Sequence, residues 1–339
     1  MLATRRFLPA ALRLRRAAWQ RPAIRSLATL AEESSFKIPL IDFSKFLEAG
    51  SKAEKRNTAD EIVSGFRNVG FIYLDKHGIP ESVVQKAFAQ SAEFFRLPAE
   101  VKSKLEWEDP RSNRGYVKIG RERVTQSADA NEIAQLRAKA PDFKESMEIG
   151  RDWDKTWKNR WPEEKLVPQF KPTMLSFFQT CHELHFHNLR LLSYPSIRTN
   201  LLRQEGQARA GAHSDYGTLT LLFQDSVGGL EVQNPHTKTF QPGTPIPGTI
   251  VVNAGDLLAR WSNDILRSTL HRVVAPPVEK LSETEGITPA RQSIAFFCNP
   301  NGGAKISCLP TCLGVNGENK YPPVTTEDYI VGRLSVTYT

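Results

Sequence analysis

From about residue 188 the chain breaks into short apolar runs separated by Gly, Pro and Asn turns. They are LRLLSY (189–194), TLTLLF (218–223), GLEVQ (229–233), GTIVVN (248–253), LRSTLHRVVA (266–275) and QSIAFFCN (292–299). Runs of this length are strand-sized, and their regular succession argues for an all-β barrel or sandwich. The preceding region reads differently. FKIPLIDFSKF (36–46) alternates as a short strand, and KAEKRNTADEIVSGFRNVG (52–70) has a helical period ending at Gly70. GFIYLDKHGIP (70–80) is a buried strand with a turn, and ESVVQKAFAQSAEFFRL (81–97) is a second amphipathic helix closed by Pro98. Residues 106–165 read as mixed, polar and turn-rich. At the other end, Thr325 and Asp328 form a capping signature before a helix over TTEDYIVGRLSVTY (325–338).

The chain has 339 residues, 40% of them hydrophobic, which is enough for a large core. No run of 18 or more apolar residues appears, so no membrane-spanning helix is expected. The formal charge of +8 suggests nucleic acid until it is located. Residues 1–31 hold seven arginines and no acidic residue; without them 38 basic residues face 37 acidic ones. The body is therefore near neutral, and no nucleic-acid partner is expected. An Arg-rich, acid-free leader with interspersed Leu, Ala, Phe and Trp has the composition of a mitochondrial transit peptide. A disordered basic tail or a misplaced start codon are the other readings, with a cytoplasmic location as the alternative. The four cysteines form no C-x-x-C pair and suit a reducing compartment.

The chemistry concentrates in GAHSDYGTLTLLF (211–223). A strand puts residues i and i+2 on one face, so His213 and Asp215 point into one cavity. Imidazole and carboxylate suit a divalent transition metal, and His271, in LRSTLHRVV, supplies a third ligand if its strand pairs nearby. Two histidines and one carboxylate make the facial set of non-haem Fe(II) oxygenases, with positions left open for a co-substrate and O2. Arg291 and Ser293 are again i and i+2. A buried arginine with no acidic neighbour needs an anion, and its planar fork suits a carboxylate. A dicarboxylate such as 2-oxoglutarate meets this need, one end on iron and the other on Arg291.

The remaining candidates have plainer readings. His77 is a structural hydrogen-bonder in its turn; His182, His185 and His187 are surface or packing residues at a helix end. His236 sits in an exposed turn, and Asp256 is an Asx-type turn residue.

The order H-S-D-Y-G-T-L-T-L-L-F-Q-D, G-G-L-E-V, P-G-T-I-V-V-N-A-G-D, R-S-T-L-H-R-V and R-Q-S-I-A-F-F resembles the Fe(II)/2-oxoglutarate-dependent dioxygenases of the isopenicillin N synthase-like group. I-P-L-I-D-F, G-F-I-Y-L-D-K-H-G-I-P, R-G-Y and R-L-L-S-Y-P resemble the same family's N-terminal region. The resemblance implies a mainly β protein with flanking helices and a double-stranded β-helix (jelly-roll, cupin-like) core over 186–300. It implies an N-terminal α/β region over 36–165 and a C-terminal extension with a helix over 301–339. It further implies Fe(2+) at His213, Asp215 and His271, and 2-oxoglutarate at Arg291 and Ser293 with Tyr194 as a further partner. Oxidation of a small-molecule substrate by a monomer follows: hydroxylation, or desaturation or ring closure, with release of succinate and CO2. Residues near Arg114, Tyr116 and Val117, with the C-terminal helix, are expected to line the substrate pocket. A 2-oxoglutarate-independent oxidase of the same fold and a non-catalytic binding module are the alternatives.

One departure stands out. FFQTCHELH (177–185) runs almost directly into FHNLRLLSYP (186–195), where relatives of this kind carry a further helix and turn. By ordinary element lengths about 20–30 residues are absent. A skipped exon, a faulty gene model or a real deletion would each produce this. Loss of the element is expected to expose apolar surface of the major sheet.

Overall fold

The computed structural model describes residues 36–338 except 48–49, 110, 126, 128, 183–186, 205 and 277–285. The expected leader, residues 1–31, and most of the short helix-to-strand step lie outside the described residues. The chain begins β1 (Leu40–Asp42), α1 (Lys52–Asn68), β2 (Phe71–Asp75) and α2 (Glu81–Phe95), the expected alternation. Ser51 and Glu54 cap the start of α1 reciprocally. Gly70 ends it at φ +81, where a Cβ would stand 2.6 Å from the Arg267 carbonyl, so only glycine fits.

The stretch read as polar connector contains β3 (Gly115–Val117), α3 (Ala130–Lys139) and β4 (Glu145–Ile149). All five residues of β4 are buried, including Glu145 and Glu148. Their carboxylates hid the strand, because a charged residue every third position looks like surface. In the fold each has a partner. Lys102 Nζ donates to Glu145 at 2.7 Å, and Glu148 pairs with Arg190 while accepting from Asn188 Nδ2 at 2.9 Å.

Next come α4 (Phe170–His182), β5 (His187–Tyr194), β6 (Ile197–Arg198), β7 (Ala210–His213), β8 (Leu219–Gln224) and β9 (Leu230–Gln233). Then follow β10 (Phe240–Pro242), β11 (Ile250–Ala254), α5 (Asp256–Trp261), β12 (His271–Val273), β13 (Ile287–Thr288), β14 (Arg291–Cys298) and α6 (Thr326–Tyr338). The run 266–275 is strand only over His271–Val273. The capping signature holds: Asp328 N donates to Thr325 Oγ1 at 3.1 Å.

Eight strands form the major sheet in the order β1-β2-β11-β8-β14-β5-β4-β3, with only β1 and β2 parallel. Four form the minor sheet, β10-β9-β12-β7. This is the jelly-roll arrangement, two antiparallel sheets facing each other. Period-2 alternation sorts each central strand. On β14, Ile294, Phe296 and Cys298 join the core beneath α2 and α4, whereas Arg291, Ser293, Ala295 and Phe297 face the minor sheet. On β5, Leu189 and Leu191 go to the helices, and Asn188, Arg190, Leu192 and Tyr194 to the cavity between the sheets. The helix-side face of the major sheet is thus covered: Leu189, Leu191, Ile294 and Phe296 are all fully buried. The expected apolar exposure there does not occur among the described residues, because α2 and α4 pack on each other and on that face.

Glu148 is fully buried beneath Arg190 and Asn188. Truncating it would leave Arg190 with only Glu122 at 3.5 Å and Asn188 Nδ2 without that acceptor, so Glu148→Ala should lower unfolding free energy by about 1–3 kcal/mol. Urea denaturation followed by far-UV circular dichroism measures this, and a midpoint equal to the parent's would refute it.

Candidate functional site

β7 ends at His213, and the backbone then leaves the ladder, so Asp215 lies just beyond the strand rather than in it. The convergence of the two side chains survives because the next strand anchors the carboxylate. Asp215 Oδ2 accepts from Thr220 Oγ1 on β8 and from Asn253 Nδ2 on β11 at 2.7 Å, which leaves Oδ1 facing the histidines. β12 pairs antiparallel with β7, and the register puts His271 directly opposite His213. The two rings lie 4.3 Å apart between centroids.

His213 Nε2 is 3.9 Å and His271 Nε2 3.7 Å from Asp215 Oδ1, and the three ligand atoms all fall within 4.8 Å of one another. Those separations are too long for hydrogen bonds and nearly span a divalent ion with bonds of about 2 Å. The far ring nitrogens support this reading. His213 Nδ1 lies 2.7 Å from the Gly211 carbonyl and His271 Nδ1 3.2 Å from that of Thr269. A carbonyl only accepts, so each Nδ1 carries the proton and each Nε2 presents a lone pair to the gap. Burial, reinforced by His271, pushes the His213 imidazole down to about 3 and keeps it neutral. Burial works against the Asp215 carboxylate, but His271, His213, Asn253 and Thr220 together hold it below the usual carboxylate range. Two imidazoles and one carboxylate facing one gap are a set that holds a divalent metal.

Arg291 opens β14, pairs across the ladder with Tyr194 and is 1% exposed. Its Nη1 donates to Ser293 Oγ at 3.1 Å and its Nη2 to Gln224 Oε1 at 3.3 Å, while Nε has no partner. Tyr194 meets it with its ring face, 4.8 Å from Cζ. A buried cation with neutral partners and a free N–H fits a carboxylate. Arg291, Ser293 and Tyr194 line the same cavity as His213, Asp215 and His271.

The far wall of that cavity is charged, which the sequence reading missed. Glu122, Lys144, Asn188 and Arg190 line it, with Phe297 beneath the Arg190 guanidinium at 5.2 Å. Lys144 Nζ pairs with Glu122, and Arg190 bridges Glu122 at 3.5 Å and Glu148. The signal was present in the pocket-facing positions of β5, but a lone arginine in an apolar run reads as an edge residue. Of the expected pocket residues, the C-terminal helix delivers Ile330 and Leu334. Arg114, Tyr116 and Val117 themselves do not line the cavity, but Asn113, the neighbour of Arg114, does. Tyr116 instead donates to Glu145 at 2.6 Å, and Val117 packs with Trp107 and Leu334.

α6 is fastened over the mouth by Tyr216, whose hydroxyl meets Thr337 Oγ1 at 3.1 Å, and by Tyr329, which donates to Asp256 at 2.9 Å. Asp256 is therefore the first residue of α5 and an anchor for α6, not an Asx-turn residue. His77 accepts from Ile79 N at 3.2 Å, as a turn residue should, and His236 is exposed. His182 packs against Trp153 and Phe178; His185 lies outside the described residues.

Asp142 ties the metal strand to the preceding loop, accepting from Val124 N at 3.0 Å and Gly211 N at 3.1 Å. Burial pushes its carboxyl up to about 6, with Lys144 the main counterweight. At Gly211 a Cβ would stand 2.3 Å from the Val124 carbonyl oxygen, a backbone atom. Gly211→Ala should therefore displace β7 and lower stability by about 1–3 kcal/mol. A thermal melt checks this; an unchanged transition would mean that the 124 loop yields freely.

Residues 38–164 match the family described as non-haem dioxygenase in morphine synthesis N-terminal, and residues 184–300 match the 2OG-Fe(II) oxygenase superfamily. The 2-oxoglutarate-Fe(II) type oxidoreductase ppzD of Metarhizium majus is 31% identical over 354 residues, covering 92% of this chain and 98% of its own. That span exceeds the 339 residues of this chain, so the relative carries residues that this chain lacks. The proline hydroxylase buaE of Petromyces alliaceus is 33% identical, covering 89% of this chain and 100% of its own. Among solved structures, a full-length Neurospora crassa protein in complex with alpha-KG and thymine superposes with a TM-score of 0.79 at 44% identity, over 89% of this chain and 97% of that one. The same Neurospora protein in complex with alpha-KG and 5-formyluracil gives 0.77 at 42% identity, over 88% and 96%.

Proposed function

The chain belongs to the 2OG-Fe(II) oxygenase superfamily, and from that premise we propose that its substrate is a small pyrimidine base of the thymine kind, oxidised at the methyl group. The enzyme uses Fe(II), 2-oxoglutarate and O2. When bound, iron and 2-oxoglutarate supply oxidation of a C–H bond, one oxygen atom of O2 going to succinate and the other to substrate, with release of CO2.

The residues of this chain divide that task. His213, Asp215 and His271 hold the metal through Nε2, Oδ1 and Nε2. Arg291, Ser293 and Tyr194 bind the far carboxylate of 2-oxoglutarate. The observation that carries the substrate reading is the charged far wall. A pyrimidine base alternates N–H donors with C=O acceptors around a flat ring. Asn188, Arg190 and Lys144 offer donors, Glu122 offers acceptors, and Phe297 offers a flat apolar face in one cavity. Thymine and 5-formyluracil, a base and its methyl-oxidised form, are both bound by the Neurospora protein. Ile330 and Leu334 on α6 close the cavity and keep water from the reacting centre.

Incubation with Fe(II), 2-oxoglutarate and thymine should yield succinate and a product one oxygen heavier by mass spectrometry. Turnover of free proline with none of thymine would sink the pyrimidine reading in favour of ring hydroxylation. His213→Ala or Asp215→Ala should abolish the visible charge-transfer band of the anaerobic Fe(II)–2-oxoglutarate complex. Arg291→Ala should retain it only at about 10- to 100-fold higher 2-oxoglutarate, the worth of a bidentate charged pair.

The composition of residues 1–31 supports the further reading that they direct the protein to mitochondria. A fluorescent reporter carrying those residues should collect there; a diffuse cytosolic signal would dismiss it.

A further inference from the structure

A second arginine lies buried behind the first. Arg209, one residue before β7, is 0% exposed, yet no carboxylate meets it among the described residues. Its Nη2 donates to the carbonyls of Pro195 at 3.1 Å and of Pro289, while Nε and Nη1 have no partner. Those carbonyls occupy particular places. Pro195 follows Tyr194 at the end of β5, and Pro289 stands two residues before Arg291 at the start of β14. Tyr194 and Arg291 are themselves partners across the ladder. One guanidinium thus clamps the two strand ends that carry the 2-oxoglutarate residues. Its own backbone N–H donates to the Val273 carbonyl on β12 at 2.9 Å, tying the clamp to the strand of His271.

Charge adds to geometry. Burial, then the Arg291 cation, pushes Arg209 down to about 10. The carboxylate of Asp225 contributes from a distance, being already engaged by the backbone N–H groups of Val227 and Gln292. Two buried cations at one end of the cavity leave a positive excess that a ligand with a remote carboxylate offsets and one without it does not.

We propose that Arg209 is a positioning residue for the co-substrate: it fixes Tyr194 and Arg291 and biases the site toward keto acids bearing a second, distal carboxylate. This rests on the reading of Arg291 as the carboxylate partner. Arg209 does not line the cavity, so it acts through its neighbours.

The test is anaerobic titration of the Fe(II)-loaded full-length protein with 2-oxoglutarate and, separately, with 2-oxobutyrate, which keeps the keto-acid end and lacks the distal carboxylate. Loss of a buried charged hydrogen-bonding clamp corresponds to roughly tenfold or more in affinity. Arg209→Met should weaken 2-oxoglutarate by that factor and leave 2-oxobutyrate and Fe(II) affinity unchanged. Should that variant fail to fold, Arg209→Lys decides. It keeps the charge but not the planar fork, and should weaken 2-oxoglutarate by roughly threefold to tenfold, again selectively. A folded variant that binds 2-oxoglutarate as the parent does, or that loses both keto acids equally, overturns the proposal. Arg291→Ala, titrated in parallel, separates the two failures. If it too binds 2-oxoglutarate normally, the underlying site reading is at fault. If it alone is weakened, only the role of Arg209 falls.

Discussion

His271 stands opposite His213 because β12 and β7 pair antiparallel there, the register shifting by one between His271 and Val273, and the chemistry of the molecule hangs on that pairing. A slip of one residue would turn one imidazole to the other face of the minor sheet and leave Asp215 with a single partner. The register is held from several directions. β9 borders β12 on its other edge, with Val232 beside His271, and Leu230 and Val232 pack onto Phe71, Tyr73 and Val251 of the major sheet. Phe71 also meets the His271 ring edge-on at 5.3 Å. The apolar contacts between the sheets therefore do the aligning, and the polar site inherits their precision.

Charged groups inside the sandwich are tolerated where each is answered. Asp215 is paired by Thr220 and Asn253, Glu148 by Arg190 and Asn188, and Lys144 by Glu122. Arg291 and Arg209 differ: both keep buried donors unanswered, at the end of the cavity where the proposed carboxylate is received. The answered charges of Glu122, Lys144 and Arg190 rigidify the wall and still face the cavity, where the proposed base would meet them.

Much of the site was legible in sequence, and for one reason. His213 with Asp215, and Arg291 with Ser293, are spaced two apart, and the alternation of a strand is a property of the local backbone. His271 was nominated from a strand-like run that could pair nearby, and the dioxygenase resemblance implied the same residue among seven histidines. β4 was illegible because Glu145 and Glu148 look like surface until Lys102 and Arg190 are seen to meet them. Asp256 was misread because its partner, Tyr329, lies 73 positions away in sequence.

The expected loss of cover after α4 shows the opposite error. A missing element was inferred from the short step between FFQTCHELH and FHNLRLLSYP, and exposure was expected to follow. The described helix-side face of the sheet is nevertheless closed by α2 and α4. The order of residues determined which side chains alternate together, where helices start and stop, and which ligand types were on offer. It left open which strands become neighbours, which charges find partners, and that Arg209 reaches two prolines flanking separate strands. Periodicity acts between adjacent residues, while pairing and burial depend on closing loops of tens to hundreds of residues against competing arrangements, and that balance is struck only in the folded whole.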